Sequence, residues 1–532
     1  MRSKAIPSAA VVVLASSLAG GLFGSRVMAG QDRANQLNQL YTAGLAAVEK
    51  EYVESVDSAQ LVYSSIDGML RTLDPHSSFF TPKEFAQLRE RQEGHYYGIG
   101  ITIGQAVVGG DVTVNSLFEG SPASRVGFRR GDVIARVGKE DAKGWTTDDV
   151  VKRVKGPKGT TVDIGLRRPG LTDLISVTVE RDEIHITTVQ TAFLIAPGTG
   201  YVKLREFSET SDDEIGRALE QLTKAGMQRL VLDLRDNPGG PLDQAIAVSN
   251  RFLRRGLKIV TTIGRGTNAQ AEYLATEEGK YTQIPLIVLT SRQSASASEI
   301  VSGAVQDHDR GLVVGETTFG KALVQSVYPI DEGAALALTT AHYATPSGRI
   351  IQRPWDNSFD EYLTYTSREQ NGTRQHSAAE LKYTAGGRKV YGGGGIEPDH
   401  FVAGPVEGFA PTPFSRLLVS RAAFIAFTTK FAKEGDTRPG AKSAAKYHVG
   451  PGWTVTQPMI DDFREFIQGG RLKFDGEAFN ADRTFISAMI HYEVDSDLFG
   501  AGEARRNLVR IDPMTQASLQ YFDAAKKLVE KK

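Results

Sequence analysis

Three hydrophobic periodicities follow one another along this chain. From residue 31 to 92 the apolar positions Leu37, Leu40, Tyr41, Leu45, Val48 and Tyr52, with Gly44 on the same stripe, recur at helical spacing. A second helix starts at Asp57 or Ser58, carries Val62, Ile66, Leu70 and Leu73 on one face, and is stopped by Asp74-Pro75. Such a helix pair buries its stripe against a partner domain or a second copy of itself. From Gly94 to about Glu183 the pattern changes to short alternating strands divided by glycine turns. Gly98-Ile99-Gly100-Ile101-Thr102-Ile103 is a glycine turn feeding a strand, and Thr147 is placed to cap a helix bearing Val150, Val151 and Val154. Residues 184–403 then alternate strands (Tyr201 to Phe207, Leu230 to Leu234, Ile284 to Thr290, Leu312 to Gly315) with helices (Asp212 to Ala225, Leu242 to Arg254, Ser296 to Gln306), which predicts a largely parallel sheet under helical cover.

Two further segments complete the chain. Residues 355–395 are polar and aromatic, end in Gly392-Gly393-Gly394-Gly395, and read as an insertion. Residues 406–532 read as all-helical, with helices at Phe414 to Phe431, Pro458 to Ile467 and Pro513 to Val529. The expected fold is a multidomain α+β chain. A leader or N-terminal anchor occupies 1–29, a helical domain 30–92, a β-rich domain 93–183, an α/β core 184–405 with an insertion at about 355–392, and a helical extension 406–532.

Composition narrows the chemistry. The 532 residues carry a net charge of −1, so no basic field points to nucleic acid. There is no cysteine, which excludes disulfides, a thiol nucleophile and thiolate metal sites. Arg2 and Lys4 precede an apolar run from Ala9 to Leu22 and the small-residue site Val27-Met28-Ala29, the pattern of an export signal cleaved near Ala29. An uncleaved membrane anchor is the alternative. No later stretch is long and apolar enough to span a bilayer.

The candidate chemistry lies in the α/β region. Ser294-Ala295-Ser296-Ala297-Ser298-Glu299 places Ser296 on a small-residue turn at a helix start, where the dipole favours developing negative charge. Serine needs a base, and a desolvated, neutral lysine can serve. Lys321 follows Gly320 across one helix and one strand, a spacing that lets it return to the carboxyl edge of the sheet. Gln325, four residues on, can orient the amine without adding the charge that would hold it protonated. The Ala297 N–H is one candidate oxyanion donor, and the turn Pro238-Gly239-Gly240 at the end of a buried strand suits the second. The competing bases are weak. His308 sits at the far end of the helix that Ser296 begins, about 18 Å away at 1.5 Å per residue, and His342 has no local acid. A metallopeptidase has no HExxH helix to stand on.

Residues 94–183 resemble a PDZ domain. The resemblance implies that a peptide carboxyl terminus joins a sheet edge as a strand, its carboxylate in a backbone nest at Gly98, Ile99, Gly100 and Ile101. The groove would lie between Ile101–Ile103 and the helix bearing Val151 and Val154. From Asp57 to about Asp399 the chain resembles the carboxyl-terminal processing peptidases, or tail-specific proteases. The motifs that carry this are Leu73-Asp74-Pro75-His76-Ser77-Ser78, Asp233-Leu234-Arg235-Asp236-Asn237-Pro238-Gly239-Gly240, the serine run, Gly320-Lys321 with Gln325, Thr345-Pro346-Ser347-Gly348-Arg349, and Gly395-Ile396-Glu397-Pro398-Asp399. The resemblance implies a protease core of the ClpP/crotonase kind. It places the nucleophile on Ser296, the general base on Lys321, the orienting residue on Gln325, and the oxyanion donors on Ala297 and on Gly239 or Gly240. It implies protein substrates with free C-termini and no cofactor or metal. Two departures stand out: the roughly 40 residues before Gly395-Ile396, and the extension after 406. The alternative reading is a non-catalytic PDZ scaffold that binds tails without cutting them.

Overall fold

The computed structural model describes residues 33–530 apart from 106–109, 169–170, 267–268, 331–332, 356–361, 363, 368–375, 405–410, 437–444 and 471. The leader expected at 1–29 lies outside the described residues. The chain forms two compact units, one ending at Phe85 and including Gln325–Thr339, the other holding Ala86–Val324 and Thr340–Lys532.

In the smaller unit, residues 33–51 and Ser58–Leu70 are helical. Asp57 caps the second helix, its carboxylate accepting the N–H groups of Ala59 and Gln60. The helix ends before Leu73. Asp74 takes the N–H groups of His76 and Ser77 instead, at 2.7 and 2.8 Å, and turns the chain into the strand Ser78–Phe80. That strand pairs antiparallel with Ala335–Ala337.

The larger unit begins its β-rich part with an antiparallel sheet ordered Ile101–Gln105, Val112–Leu117, Val133–Val137, Thr161–Arg167, Ile175–Glu180. Ile101–Gln105 is an edge strand, and the helix Thr147–Val154 packs near it. The cap is Thr146, one residue before the expected Thr147, because Thr146 and Asp149 exchange side-chain-to-backbone bonds. Ile99, Val114, Ile134, Val150, Ile164 and Val179 form the core.

The α/β core carries a six-stranded sheet ordered Val189–Ala196, Thr199–Leu204, Arg229–Asp233, Leu286–Thr290, Leu312–Gly315, His400–Phe401. The first pair is antiparallel and the rest are parallel. Alternation along each strand divides its side chains between two cores. Leu230, Leu232, Leu286, Val288 and Val313 pack with Leu219, Val248 and Val301 of the helices Ser211–Lys224, Leu242–Asn250 and Ala297–Asp307. Val231, Ile287, Leu289, Leu312 and Val314 face the other way and are covered by Phe522 and Ala525. The last helix of the extension therefore completes the sandwich.

The extension departs from an all-helical reading. Phe414 to Phe431 is broken: a helix Pro413–Ser420 stops at Ala422, which takes φ 53° and ψ 30°, before Ala423–Phe427 and a 3₁₀ turn. Phe431–Lys433 then pairs in parallel with Tyr447–Val449. Pro513 to Val529 is likewise divided into Pro513–Ser518, a 3₁₀ turn and Phe522–Glu530. Periodicity reports the buried face, and here that face persists through breaks in the hydrogen-bond ladder. Among the described residues no helix is long and apolar enough to cross a membrane.

Candidate active site

A strained turn sits at the carboxyl edge of the parallel sheet. Ser296 joins the strand Leu286–Thr290 to the helix Ala297–Asp307 with φ 54° and ψ −114°, a backbone conformation that L side chains rarely adopt. Such a conformation costs roughly 1–3 kcal/mol and persists only where the surroundings over-determine it. The surroundings here are the strand-end turn Asp236–Gly240. Asn237 accepts the Ala295 N–H and the Ser298 hydroxyl, each at 3.0 Å, and the Ser294 hydroxyl donates to Leu234 O at 2.8 Å. Asp236, with φ 60°, donates its N–H to the Ser291 hydroxyl.

Gly239 belongs to this contact. A Cβ there would lie 2.8 Å from Ser296 Cβ and 2.9 Å from the Ala297 nitrogen, so only glycine allows the approach. The Gly239 N–H donates to Asn237 Oδ1 at 2.9 Å. Gly240 is as tightly constrained, since a Cβ there would meet Phe207 O.

Glu299 joins the two halves of the site. It is fully buried in the first turn of the serine helix. Its Oε2 accepts the N–H groups of Ser296 and Lys321, each at 2.8 Å, and its Oε1 accepts the Gly320 N–H at 2.7 Å and the Thr318 hydroxyl. Burial pushes this carboxyl above its usual value, against the lowering effect of the four donors. Through one carboxylate the backbones of Ser296 and Lys321 are held together, although the residues are 25 apart in sequence. Both side chains are half-buried. Tyr343 closes the arrangement: its backbone N–H donates to Ala322 O at 2.9 Å and its hydroxyl to Ser296 O at 3.2 Å. Burial, with the nearby Glu299 charge, raises the Tyr343 phenol well above its usual value and keeps it a donor.

The remaining residues singled out in the sequence fall as follows. Gln325 lies in the smaller unit, on the strand Leu323–Pro329, and its Nε2 donates to His76 O. In the β-rich sheet, Ile101 and Ile103 lie on the edge strand, half-buried, and Val151 is half-buried on the facing helix. Ile99 and Val154 pack into the core of that domain. Gly100 has φ +75°, and a Cβ there would lie 2.3 Å from Ser121 Cβ; Gly98 pairs with Asp182. His308 ends the serine helix and its Nε2 lies 2.6 Å from Lys258 O, at the opposite end from Ser296. His342 pairs with Ile263 and is exposed. No group of three or more potential metal ligands occurs among the described residues.

Beneath the turn lies an ion network that sequence reading missed. Asp233 is fully buried and accepts from Arg235, from Lys203 at 3.2 Å and from the Tyr201 hydroxyl at 2.6 Å. Burial alone would raise this carboxyl, but the Arg235 and Lys203 charges outweigh it and hold Asp233 well below the usual carboxylate range. Arg235 also reaches Asp512 and Thr515 of the extension, at 2.8 and 3.0 Å. The signal for Glu299 was a capping pattern, which says nothing of donors twenty residues downstream. The partners of Arg235 in the extension are about 280 residues away and have no local signal.

Comparison with known proteins completes the picture. The family model for peptidase family S41 matches residues 198–355, and that for the PDZ domain matches residues 87–167. A carboxy-terminal processing protease CtpA of Bacillus subtilis is 31% identical over 349 residues, covering 64% of this chain and 73% of the relative. The solved photosystem II D1 C-terminal processing protease is 31% identical, covering 58% of this chain and 89% of that one, with a TM-score of 0.32. A carboxy-terminal-processing protease of Bartonella bacilliformis is 35% identical over 351 residues, 65% of this chain and 77% of the relative. On that similarity the chain belongs to peptidase family S41, the PDZ-containing carboxy-terminal processing serine proteases.

Proposed function

We propose that this protein is an exported endopeptidase that captures the C-terminal tail of a protein substrate on its PDZ domain and cleaves the adjoining chain by a Ser–Lys mechanism. The observation that carries the reading is the Glu299 carboxylate, which holds the backbone of Ser296 and that of Lys321 on one oxygen. Neutral Lys321 takes the proton from Ser296 Oγ as Oγ bonds to the scissile carbonyl carbon. The oxyanion forms against the Ala297 N–H at the helix start, with the second donor from the turn at Gly239. The Gly239 N–H exchanges Asn237 Oδ1 for the oxyanion, a stronger acceptor. Collapse breaks the peptide C–N bond, and the Lys321 ammonium returns its proton to the departing amine. Water, deprotonated by Lys321, then hydrolyses the acyl-enzyme and restores the serine. Gln325 is the orienting residue in this scheme. The domain boundaries follow the sequence reading: 1–29 leader or anchor, 30–92 helical, 93–183 PDZ, 184–405 protease, 406–532 extension.

Tail capture is supported by the edge position of Ile101–Gln105, which among the described residues leaves one side of that strand without a partner strand in its sheet, beside the helix Thr147–Val154. Export rests on the N-terminal pattern of charge, apolar run and small residues; retention as a membrane anchor and self-association through the N-terminal helices are its variants.

The test uses the purified protein, a peptide substrate with a free C-terminus, and a serine-directed acylating probe. Lys321→Arg and Lys321→Ala should both lower kcat by roughly a thousandfold or more, since arginine keeps the charge but does not give up its proton. Ser296→Ala should abolish labelling. Amidating the substrate's C-terminus should raise KM with little change in kcat. Retained turnover in Lys321→Arg would defeat the mechanism, and tail binding without labelling of Ser296 would favour the scaffold.

A further inference from the structure

The S41 family model ends its match at residue 355, and the insertion begins there. The chain rejoins the core at Gly395-Ile396, where the Gly395 N–H donates to Ile351 O and the Ile396 N–H to the Thr318 hydroxyl. Between these points the insertion touches both elements that carry the proposed dyad. Its hairpin, Leu381–Tyr383 with Lys389–Tyr391, grips the C-terminal end of the serine helix. There the Ala385 N–H donates to Asp307 O, Arg388 pairs with Asp309 and Asp399, and Arg388 Nη2 donates to Gln306 O. Its aromatic part lies on the segment leading to Lys321. The Tyr365 hydroxyl donates to Thr317 O at 3.1 Å. Phe319 meets Tyr362 and Tyr365 edge-on, with ring centroids 5.3 and 6.1 Å apart, and Tyr362 is buried.

Arg353, at the mouth of the insertion, locks the two together. Its guanidinium stacks 3.5 Å over the Tyr365 ring. Its Nε donates to Phe319 O at 2.8 Å, its Nη2 to Thr318 O and Gly394 O, and its backbone N–H to Gly320 O. The carbonyls of Thr317, Thr318, Phe319 and Gly320 are thus all held by Tyr365 or Arg353, while Glu299 holds N–H groups of Gly320 and Lys321 from within the fold. A planar guanidinium on an aromatic face gives a fixed geometry that a flexible ammonium does not.

We propose that Tyr365, seated on Arg353, is a positioning residue for the general base: the insertion braces the Thr317–Gly320 turn and so sets the approach of Lys321 to Ser296. The inference rests on the Ser–Lys reading above. A loosened turn admits water to the amine, and solvation favours its protonated form. The working range of the enzyme then moves to higher pH.

The experiment measures kcat, KM and the pH profile of kcat for Tyr365→Ala and Tyr365→Phe, with circular dichroism to establish folding and Lys321→Arg assayed in parallel. Tyr365→Ala should lower kcat about tenfold with KM nearly unchanged, and its acidic limb should move up by about half a pH unit. Tyr365→Phe keeps the stack, loses the bond to Thr317 O, and should fall between this variant and the parent. If Tyr365→Ala does not fold, Tyr365→Phe decides by its acidic limb. A folded variant whose profile superimposes on the parent's overturns the proposal, as does the failure of both to fold, which makes the residue structural only. Retained turnover in Lys321→Arg would bring down the Ser–Lys reading itself, whereas an inactive Lys321→Arg beside a neutral Tyr365→Ala would sink only the brace.

Discussion

At the scale of single residues, the site is a balance between strain and hydrogen bonds. Ser296 is held at a positive φ by bonds from two neighbouring segments, and alanine at that position suffers the same strain. Glycine does not. Ser296→Gly is therefore expected to be more stable than Ser296→Ala by about 1 kcal/mol, less than the full strain because glycine also gains freedom in the unfolded chain. Urea midpoints of the two inactive variants check this, and equal midpoints would mean that the turn is not strained. Glu299 makes the complementary point. Four donors converge on its two oxygens, and a glutamine has one oxygen and an NH₂. Whichever way the amide of Glu299→Gln is turned, its N–H groups oppose donors, and the backbones of Ser296 and Lys321 lose their common tether. Turnover should fall about 100-fold, with labelling of Ser296 slowed in step. Ser296 and Lys321 stand out as candidates because their local surroundings are distinctive: small residues before a helix, and a glycine before the lysine. Glu299 carries only a local capping pattern, three residues after Ser296, since its other donors come from the segment 318–321.

At the scale of elements, the alternation of buried strands and amphipathic helices gave away the parallel sheet, while boundaries moved by a few residues where backbone bonds in the following turn took over from the helix or strand ladder. The expected helix to Arg254 ends at Asn250, and the strand expected to reach Phe207 stops at Leu204. What periodicity could not show is how the strand Arg229–Asp233 ends. Its last residue is a buried carboxylate neutralised by Arg235 and Lys203. Asp233→Asn would leave Lys203 without its carboxylate and Arg235 with Asp512 alone, both partly buried, and should cost roughly 3 kcal/mol. The pH dependence has a definite sign. Because the folded carboxyl is depressed, its contribution is fully present above the ordinary carboxylate range and is lost as pH falls through the folded value. The stability gap between the parent and Asp233→Asn should accordingly be constant near neutrality and narrow in strong acid. A gap that widened with acid would mean that the carboxyl is raised instead.

At the scale of the molecule, the extension is what the sequence disclosed least. Its helical character was visible, but its purpose was not, because the surface it covers belongs to strands some 200 to 300 residues earlier. Val231, Ile287, Leu289, Leu312 and Val314 form the outward face of the protease sheet, and Phe522 and Ala525 lie on it. A sheet buried on both faces reads as continuous hydrophobic strands, and Leu230 to Leu232 and Leu286 to Leu289 do read that way. The cover is also wired to the Asp236–Gly240 turn, since Arg235, one residue before Asp236, bonds Asp512 and Thr515 at the cap of Pro513–Ser518. One truncation and one substitution separate these roles. Ending the chain after Ser518 keeps the Arg235 bonds but strips Phe522 and Ala525 from the sheet; the exposed apolar face should drive the protein into aggregates. The substitution Asp512→Ala keeps the cover and removes the Arg235 bond together with the cap on Thr515; the protein should remain soluble and lose activity about threefold to tenfold through a looser Asp236–Gly240 turn. A soluble, fully active chain ending at Ser518 would show that the last helix is dispensable cover. A fully active Asp512→Ala would show that the turn is held by Asp233 and Asn237 without help from the extension.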